Sequence, residues 1–236
     1  VETEFSLNLV QNQYLQSSTV EQFSPSLFLH GKIKDKNIGY IYTDGIEERL
    51  DDMMDDALEN IGDYEAIIFD LRNNYGGDDI VGQDWAGRFT DESRLVYTVQ
   101  ERNGPEHTDF AEPKYYYTEQ RGEQSFRKPV ILLTDRVTVS AAETFLLYMK
   151  SIPEVTQIGD TTAGDFSDTG MNRFLPNGWE YQYSIMMFLL PDGSSLDGVG
   201  HIPEVQVRNT TADIQAGTDR VLETAIQYLF DTYGID

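Results

Sequence analysis

Ser140 stands between an apolar run and an apolar-periodic segment, in VILLTDRVTVSAAETFLLYMK, residues 130–150. Glu143 follows three positions later. At that spacing the two side chains form a capping box, each taking a backbone amide at a helix start. A serine hydroxyl at the same place also sits in the positive field of the helix dipole. Ser140 therefore reads as a cap or as a nucleophile. A second stretch bears on the choice: Asp70-Leu71-Arg72-Asn73-Asn74-Tyr75-Gly76-Gly77. Adjacent glycines suit a tight turn, and they also leave backbone amides open to a ligand. A hydroxyl beside such amides is the equipment of acyl transfer, a nucleophile next to groups that hold an oxyanion. The amides would be those of Gly76 or Gly77 and of Ala141.

For the two turns to meet, each must follow a strand of one sheet, because sites in open α/β sheets form at the carboxyl ends of strands. YEAIIFDLR and KPVILLTD are continuous apolar runs, the pattern of strands buried on both faces. VTQIGD is a third, shorter one. SLFLHGKI and IGYIYT read as strands joined by KDKN, and RLVYTVQE and KYYYTE are β-rich. Residues 44–61 repeat apolar side chains at helical spacing, from Ile46 through Leu50, Met54 and Ala57 to Ile61. IVGQDWAGRF and the segment after Ser140 are also helical in pattern. RFLPNGWEYQYSIMMFLL reads as a hairpin about Asn177-Gly178. The last helix spans about Asp219 to Tyr233, with Val221, Leu222, Ala225, Ile226, Leu229 and Phe230 inward and Gly234 as its stop. Strands alternate with helices, so the fold class is α/β. Residues 1–25 read as an N-terminal arm or the remnant of an upstream region, and 26–236 as a single domain.

Composition excludes several functions. The chain of 236 residues carries 41 acidic and 17 basic side chains, a formal charge of −24. Nucleic-acid binding needs the opposite sign, and anionic membranes are disfavoured for the same reason. There is no cysteine, hence no thiol nucleophile, thiolate metal site or disulfide. No apolar run approaches the length of a membrane span. Asp160, Asp165 and Asp168 share one loop and Asp192 and Asp197 another, but their spacing matches no calcium loop, and no metal or cofactor is expected.

The pattern IGYIYT, IIFDLRNNYGGD, PVILLTDRVTVSAAETF, IGDTTAGDFSD and LDGVGHIPEVQV resembles the C-terminal processing peptidase and tricorn-core family of serine peptidases, from about Ile38 to Val207. It is most similar to the periplasmic or secreted members of Bacteroidetes. The resemblance implies a crotonase- or ClpP-like spiral core, with strand-to-helix turns at the active site. It makes Ser140 the nucleophile and Gly76, Gly77 and Ala141 the oxyanion hole. It implies hydrolysis of peptides or protein C-termini through an acyl-enzyme, in the periplasm or outside the cell. Asp197 falls three residues before Gly200, where tricorn-like members carry a supporting glutamate; it is equally the acid of an LDG turn.

The general base departs from the family pattern. Where one branch has a lysine, in a T-x-G-K turn, this chain has Asp165. The histidine motif of the tricorn-like branch has no counterpart, so the base is expected in an upstream helical region that, like a peptide-binding PDZ module, would belong to a longer protein. Of the three histidines, His201 is the nearest substitute base, His107 a candidate groove residue and His30 a strand residue. The alternative is a catalytically silent member of the same fold that binds peptides or hydrophobic ligands.

Overall fold

The computed structural model describes residues 20–22, 28–122, 125–166 and 171–236. Its centre is a seven-stranded sheet. β1 (Val20–Gln22), β2 (Phe28–Ile33) and β3 (Ile38–Thr43) run antiparallel. β3 then pairs in parallel with β4 (Ala66–Asp70), which pairs in parallel with β7 (Val130–Thr134), then β8 (Val155–Gly159) and β12 (Val205–Gln206). The three-stranded antiparallel sheet has β5 (Arg94–Glu101) between β6 (Lys114–Thr118) and β11 (Met186–Leu189). β9 (Met171–Phe174) and β10 (Glu180–Tyr183) form a hairpin. The helices are α1 (Asp51–Ile61), α2 (Asp79–Ala86), α3 (Ala141–Lys150), α4 (Thr211–Ala216) and α5 (Arg220–Tyr233). The architecture is mixed α/β with a mostly parallel central sheet.

Every residue of β4 and β7 is buried, which is why their sequences do not alternate. Their side chains still alternate in destination. Ile67, Phe69, Val130 and Leu132 enter one core with α1, α2 and α3. Ala66, Ile68, Ile131 and Leu133 enter the other, against Val221, Leu222, Ala225 and Leu229 of α5. Each large apolar side chain so buried is worth about 1.5–3 kcal/mol. In the first core Trp85 stands edge-on to both Phe28 and Phe145, with ring centroids 5.6 and 6.2 Å apart. Its indole donates to Asp51 at 3.1 Å. These contacts tie α2 to β2 and α3, and α2 and α3 are the helices that open at the two turns.

Several boundaries differ from expectation. The helix expected over 44–61 begins with a 3-10 turn at Glu48, and α1 proper starts at Asp51. Ile46 is buried in a parallel bridge to Gly77 instead, its amide on Gly76 O at 2.9 Å and its carbonyl taking the Asp78 amide at 2.8 Å. Its helical spacing from Leu50 does not reflect a helix. The hairpin at Asn177-Gly178 ends at Tyr183; Met186–Leu189 leaves it for the second sheet. Phe230 is half exposed at the outer edge of α5. Val20–Gln22, within the expected arm, pairs with β2, and the rest of that arm lies outside the described residues.

Candidate active site

β4 and β7 are neighbours, so their carboxyl ends deliver both turns to one edge of the sheet. The first turn is anchored below. Asp70 and Asp219, both fully buried, grip the Arg72 guanidinium at 2.6 and 2.8 Å. The Tyr40 hydroxyl donates to Asp70 at 2.7 Å. Burial alone would strip the charge from Arg72, but the two carboxylates outweigh it and hold its pKa above the ordinary value. Asp219 also caps α5, accepting from the Leu222 amide at 3.2 Å. The base of the turn is thus pinned to a helix far along the chain.

Asn74 is the fastening above. Its side chain is fully buried, donating to Thr43 O at 3.0 Å and accepting from the Gly76 amide at 2.9 Å. Its carbonyl takes the Val139 amide at 3.1 Å. Asn73 donates to the Asp135 carboxylate at 3.1 Å, and Thr138 Oγ1 donates to Leu71 O at 3.0 Å. Burial raises the Asp135 carboxyl pKa, opposed by the backbone amides it accepts. The two turns are laced together by main chain and short polar side chains.

Ser140 emerges from this lacing exposed, with φ +59° and ψ −129°. A non-glycine residue at positive φ costs of order 1–3 kcal/mol and persists only where its surroundings impose it. Gly76 explains the fit: a Cβ there would lie 2.7 Å from Ser140 Cβ and 3.0 Å from the Ala141 nitrogen. The Gly76 amide is occupied by Asn74, whereas the amides of Gly77 and Ala141 have no hydrogen-bond partner among the described residues. Of the three expected amides, those two are left for an oxyanion.

The capping box is present in modified form. Glu143 reaches back to the Ser140 amide at 3.3 Å, while the Glu143 amide lies 2.7 Å from the Ser140 carbonyl oxygen. Glu143 does more than cap. Fully buried, its carboxylate also accepts from Thr162 Oγ1 at 2.5 Å and from the amides of Gly164 and Asp165 at 2.8 and 2.9 Å. One side chain therefore fixes the loop at 162–165 to the first turn of α3.

That loop leads to Phe166, which with Ser140 lines a cleft of about 440 Å³. Tyr97, Tyr116 and Phe188 form its floor. Tyr97 stacks on Tyr116 at 4.7 Å and on Phe188 at 5.2 Å between ring centroids. Gly77, Asp78, Asp79 and Ile80 form the wall at the start of α2, and Glu101 and Lys114, on the same strand faces as Tyr97 and Tyr116, continue the floor outward together with Glu112.

Residues 37–207 match the model of Peptidase family S41. The chain belongs to peptidase family S41. It is 26% identical over 180 residues to the carboxy-terminal processing protease CtpA of Bacillus subtilis, covering 75% of this chain and 36% of that protein. The S41 chain thus spans about a third of its curated relative's length. Among solved structures, one from Parabacteroides merdae superposes with a TM-score of 0.82 at 29% identity, covering 93% of this chain and 69% of the other. Mature CPAF complexed with lactacystin superposes with a TM-score of 0.78 at 12% identity, over 90% of this chain and 56% of that one, and so shares its fold.

The remaining residues singled out from the S41 sequence lie apart from the serine. His201 is buried, its ring packed on Phe166 at 5.2 Å and its Nε2 2.9 Å from Glu143 O. A carbonyl oxygen only accepts, so Nε2 carries the proton and cannot receive another. Burial, helped by the Lys150 charge, brings the His201 pKa down to about 3. This geometry does not suit a base for Ser140. Asp197 accepts from the Phe166 amide at 3.1 Å, which places its contact with the cleft one residue removed. His107 is exposed in the loop before β6, where Ala111, Glu112 and Lys114 face the cleft instead. Among the described residues no side-chain base lies within hydrogen-bond distance of Ser140 Oγ. Asn74 and Glu143 are the functional candidates that the sequence concealed. Glu143 was visible as a cap, but its second task depends on a loop about 20 residues on; for Asn74 only its place before two glycines was a signal.

Proposed function

We propose that the chain is the core of a serine endopeptidase that cleaves peptides or protein C-termini through an acyl-enzyme on Ser140. Ser140 Oγ attacks the scissile carbonyl carbon, and the Gly77 and Ala141 amides hold the oxygen that becomes negative. The C–N bond then breaks, the amine departs with a proton, and water hydrolyses the ester. The single observation that carries this reading is the exposed serine at positive φ beside two amides with no hydrogen-bond partner among the described residues. Asp197 supports the cleft through the Phe166 backbone. The general base comes from another segment of the full-length protein, since His201 is committed to Glu143 O. Membership of family S41 and the likeness to a processing protease support the reaction class. The compartment that goes with it is the cell envelope or the exterior; no helix among the described residues is long and apolar enough to cross a membrane.

A fluorophosphonate probe tests this. The full-length protein is labelled at Ser140, and Ser140→Ala abolishes the label. Gly77→Ala, whose Cβ would fall 2.0 Å from Ile46 O, displaces one oxyanion donor and slows labelling by about 10²–10³-fold. A full-length protein that stays unlabelled would sink the proposal.

A further inference from the structure

The cleft beside Ser140 is unusual in what faces what. Its floor is aromatic, Tyr97, Tyr116, Phe166 and Phe188, with Val99 and Met186 at the margins. The Tyr97 ring is buried between Tyr116 and Phe188 and its hydroxyl meets that of Tyr148 at 3.0 Å, so the partly exposed surface of the floor comes from Tyr116 and Met186. At about 440 Å³ the cleft has room for an aromatic side chain and the chain that bears it. Its rim carries four carboxylates, Asp78, Asp79, Glu101 and Glu112, against one ammonium, Lys114. Asp78 and Asp79 are engaged, with the Ile80 amide and with Thr144 Oγ1. Glu101 and Glu112 are exposed, and their carboxylates have no hydrogen bond or ion pair among the described residues. A substrate laid across the floor therefore brings its flanking side chains to two carboxylates that form no ion pair among the described residues.

We infer that the cleft selects peptides in which an aromatic residue is flanked by basic ones, with Glu101 and Glu112 as specificity-determining residues. The inference rests on the cleft at Ser140 being the peptide site. It goes beyond the peptidase reading by naming the charge of the substrate. The ring seats on Tyr116 and Met186, the partly exposed apolar residues of the floor, and the neighbouring lysine or arginine side chains reach the two glutamates. An acidic flank meets the same carboxylates as repulsion, and the net charge of −24 adds to it at long range.

Calorimetry on the full chain carrying Ser140→Ala decides it. Three blocked peptides serve as probes: acetyl-Ala-Lys-Phe-Lys-Ala-amide, the same with Glu for both Lys, and the same with Ala for Phe. The lysine peptide binds at least about fivefold more tightly than the glutamate peptide, and the gap narrows as salt rises. The peptide with Ala for Phe has the same charge as the lysine peptide but binds more weakly, and equal binding of the two would remove the aromatic seat. Glu101→Gln with Glu112→Gln removes most of the preference; both are exposed, so the variant folds. Equal or tighter binding of the glutamate peptide, a preference untouched by the double variant, or no binding of any probe would each overturn the inference. Fluorophosphonate labelling of the wild type does not depend on peptide charge, so the two readings fail separately. Labelling without charge discrimination refutes only the substrate class. Discrimination without labelling keeps the ligand class and removes the peptidase.

Discussion

His201 lies beneath the first turn of α3, with its Nε2 proton committed to the Glu143 carbonyl. Its pKa, brought down to about 3 by burial and then by the Lys150 charge, makes it a stability element with a defined pH window. The folded state holds the ring neutral, while the unfolded chain protonates it near the ordinary histidine value of about 6.5. Between those values the unfolded state binds the extra proton, so stability is full above about pH 6.5 and falls as pH drops towards 3. Each unit of that window costs about 1.4 kcal/mol. His201→Phe keeps the contact with Phe166 and removes the titration. Urea unfolding from pH 7 to 4 should show a shallower acid decline in the variant; an unchanged slope would contradict the assignment. At this scale the sequence was informative where residue type is restrictive. The paired glycines stood out because few other residues suit a positive φ or close backbone approach, and Ser140 because it opens a helical pattern at the end of a continuous apolar run. His201 misled because proximity in sequence to Asp197 says nothing about which carbonyl a ring nitrogen meets.

The turn after β4 depends on an ion cluster that joins it to α5. Arg72 is clamped between Asp70 and Asp219, and all three are buried. Removing the cation leaves two carboxylates facing each other without compensation, which costs about 3–5 kcal/mol. Arg72→Leu should therefore lower the unfolding free energy obtained from urea titration by an amount of that order; a loss under about 1 kcal/mol, the worth of an exposed pair, would refute the role. For Asp219, burial raises the pKa but Arg72 and the amides it accepts lower it further, to a net depression. Its contribution is thus present at neutral pH and is lost only as pH falls below the usual carboxylate range. The elements themselves were legible where they are long. Continuous apolar runs marked β4 and β7, and 3.6-residue spacing marked α1, α3 and α5. β12 and α4 were not, because two residues and six residues are too short for a period to register. Ile46 shows the converse, an apolar residue whose burial comes from a turn 30 residues away.

Across the whole molecule, one sheet divides two cores and presents a single working edge. The fold class was readable because strands alternate with helices, which forces parallel pairing through crossovers. The second sheet was not, since nothing local says that Met186–Leu189 leaves its hairpin to pair with β5. That pairing completes the cleft, bringing Met186 and Phe188 to the same hollow as Ser140 from elements more than 40 residues apart. Asn74 carries a consequence for how this edge comes apart. It accepts the Gly76 amide with its side chain and the Val139 amide with its carbonyl, while holding Thr43 O. Those two amides sit on different strand ends, yet neither is freed without disturbing the same residue. In native-state deuterium exchange they should therefore share one opening free energy, moving together as low denaturant is added, whereas Asn74→Ala should split them. Independent rates in the wild type would show two separate hinges. Coincident rates mean that the serine turn and the glycine turn form one cooperative unit, with no populated state in which Ser140 keeps its place and the glycine amides beside it have left theirs.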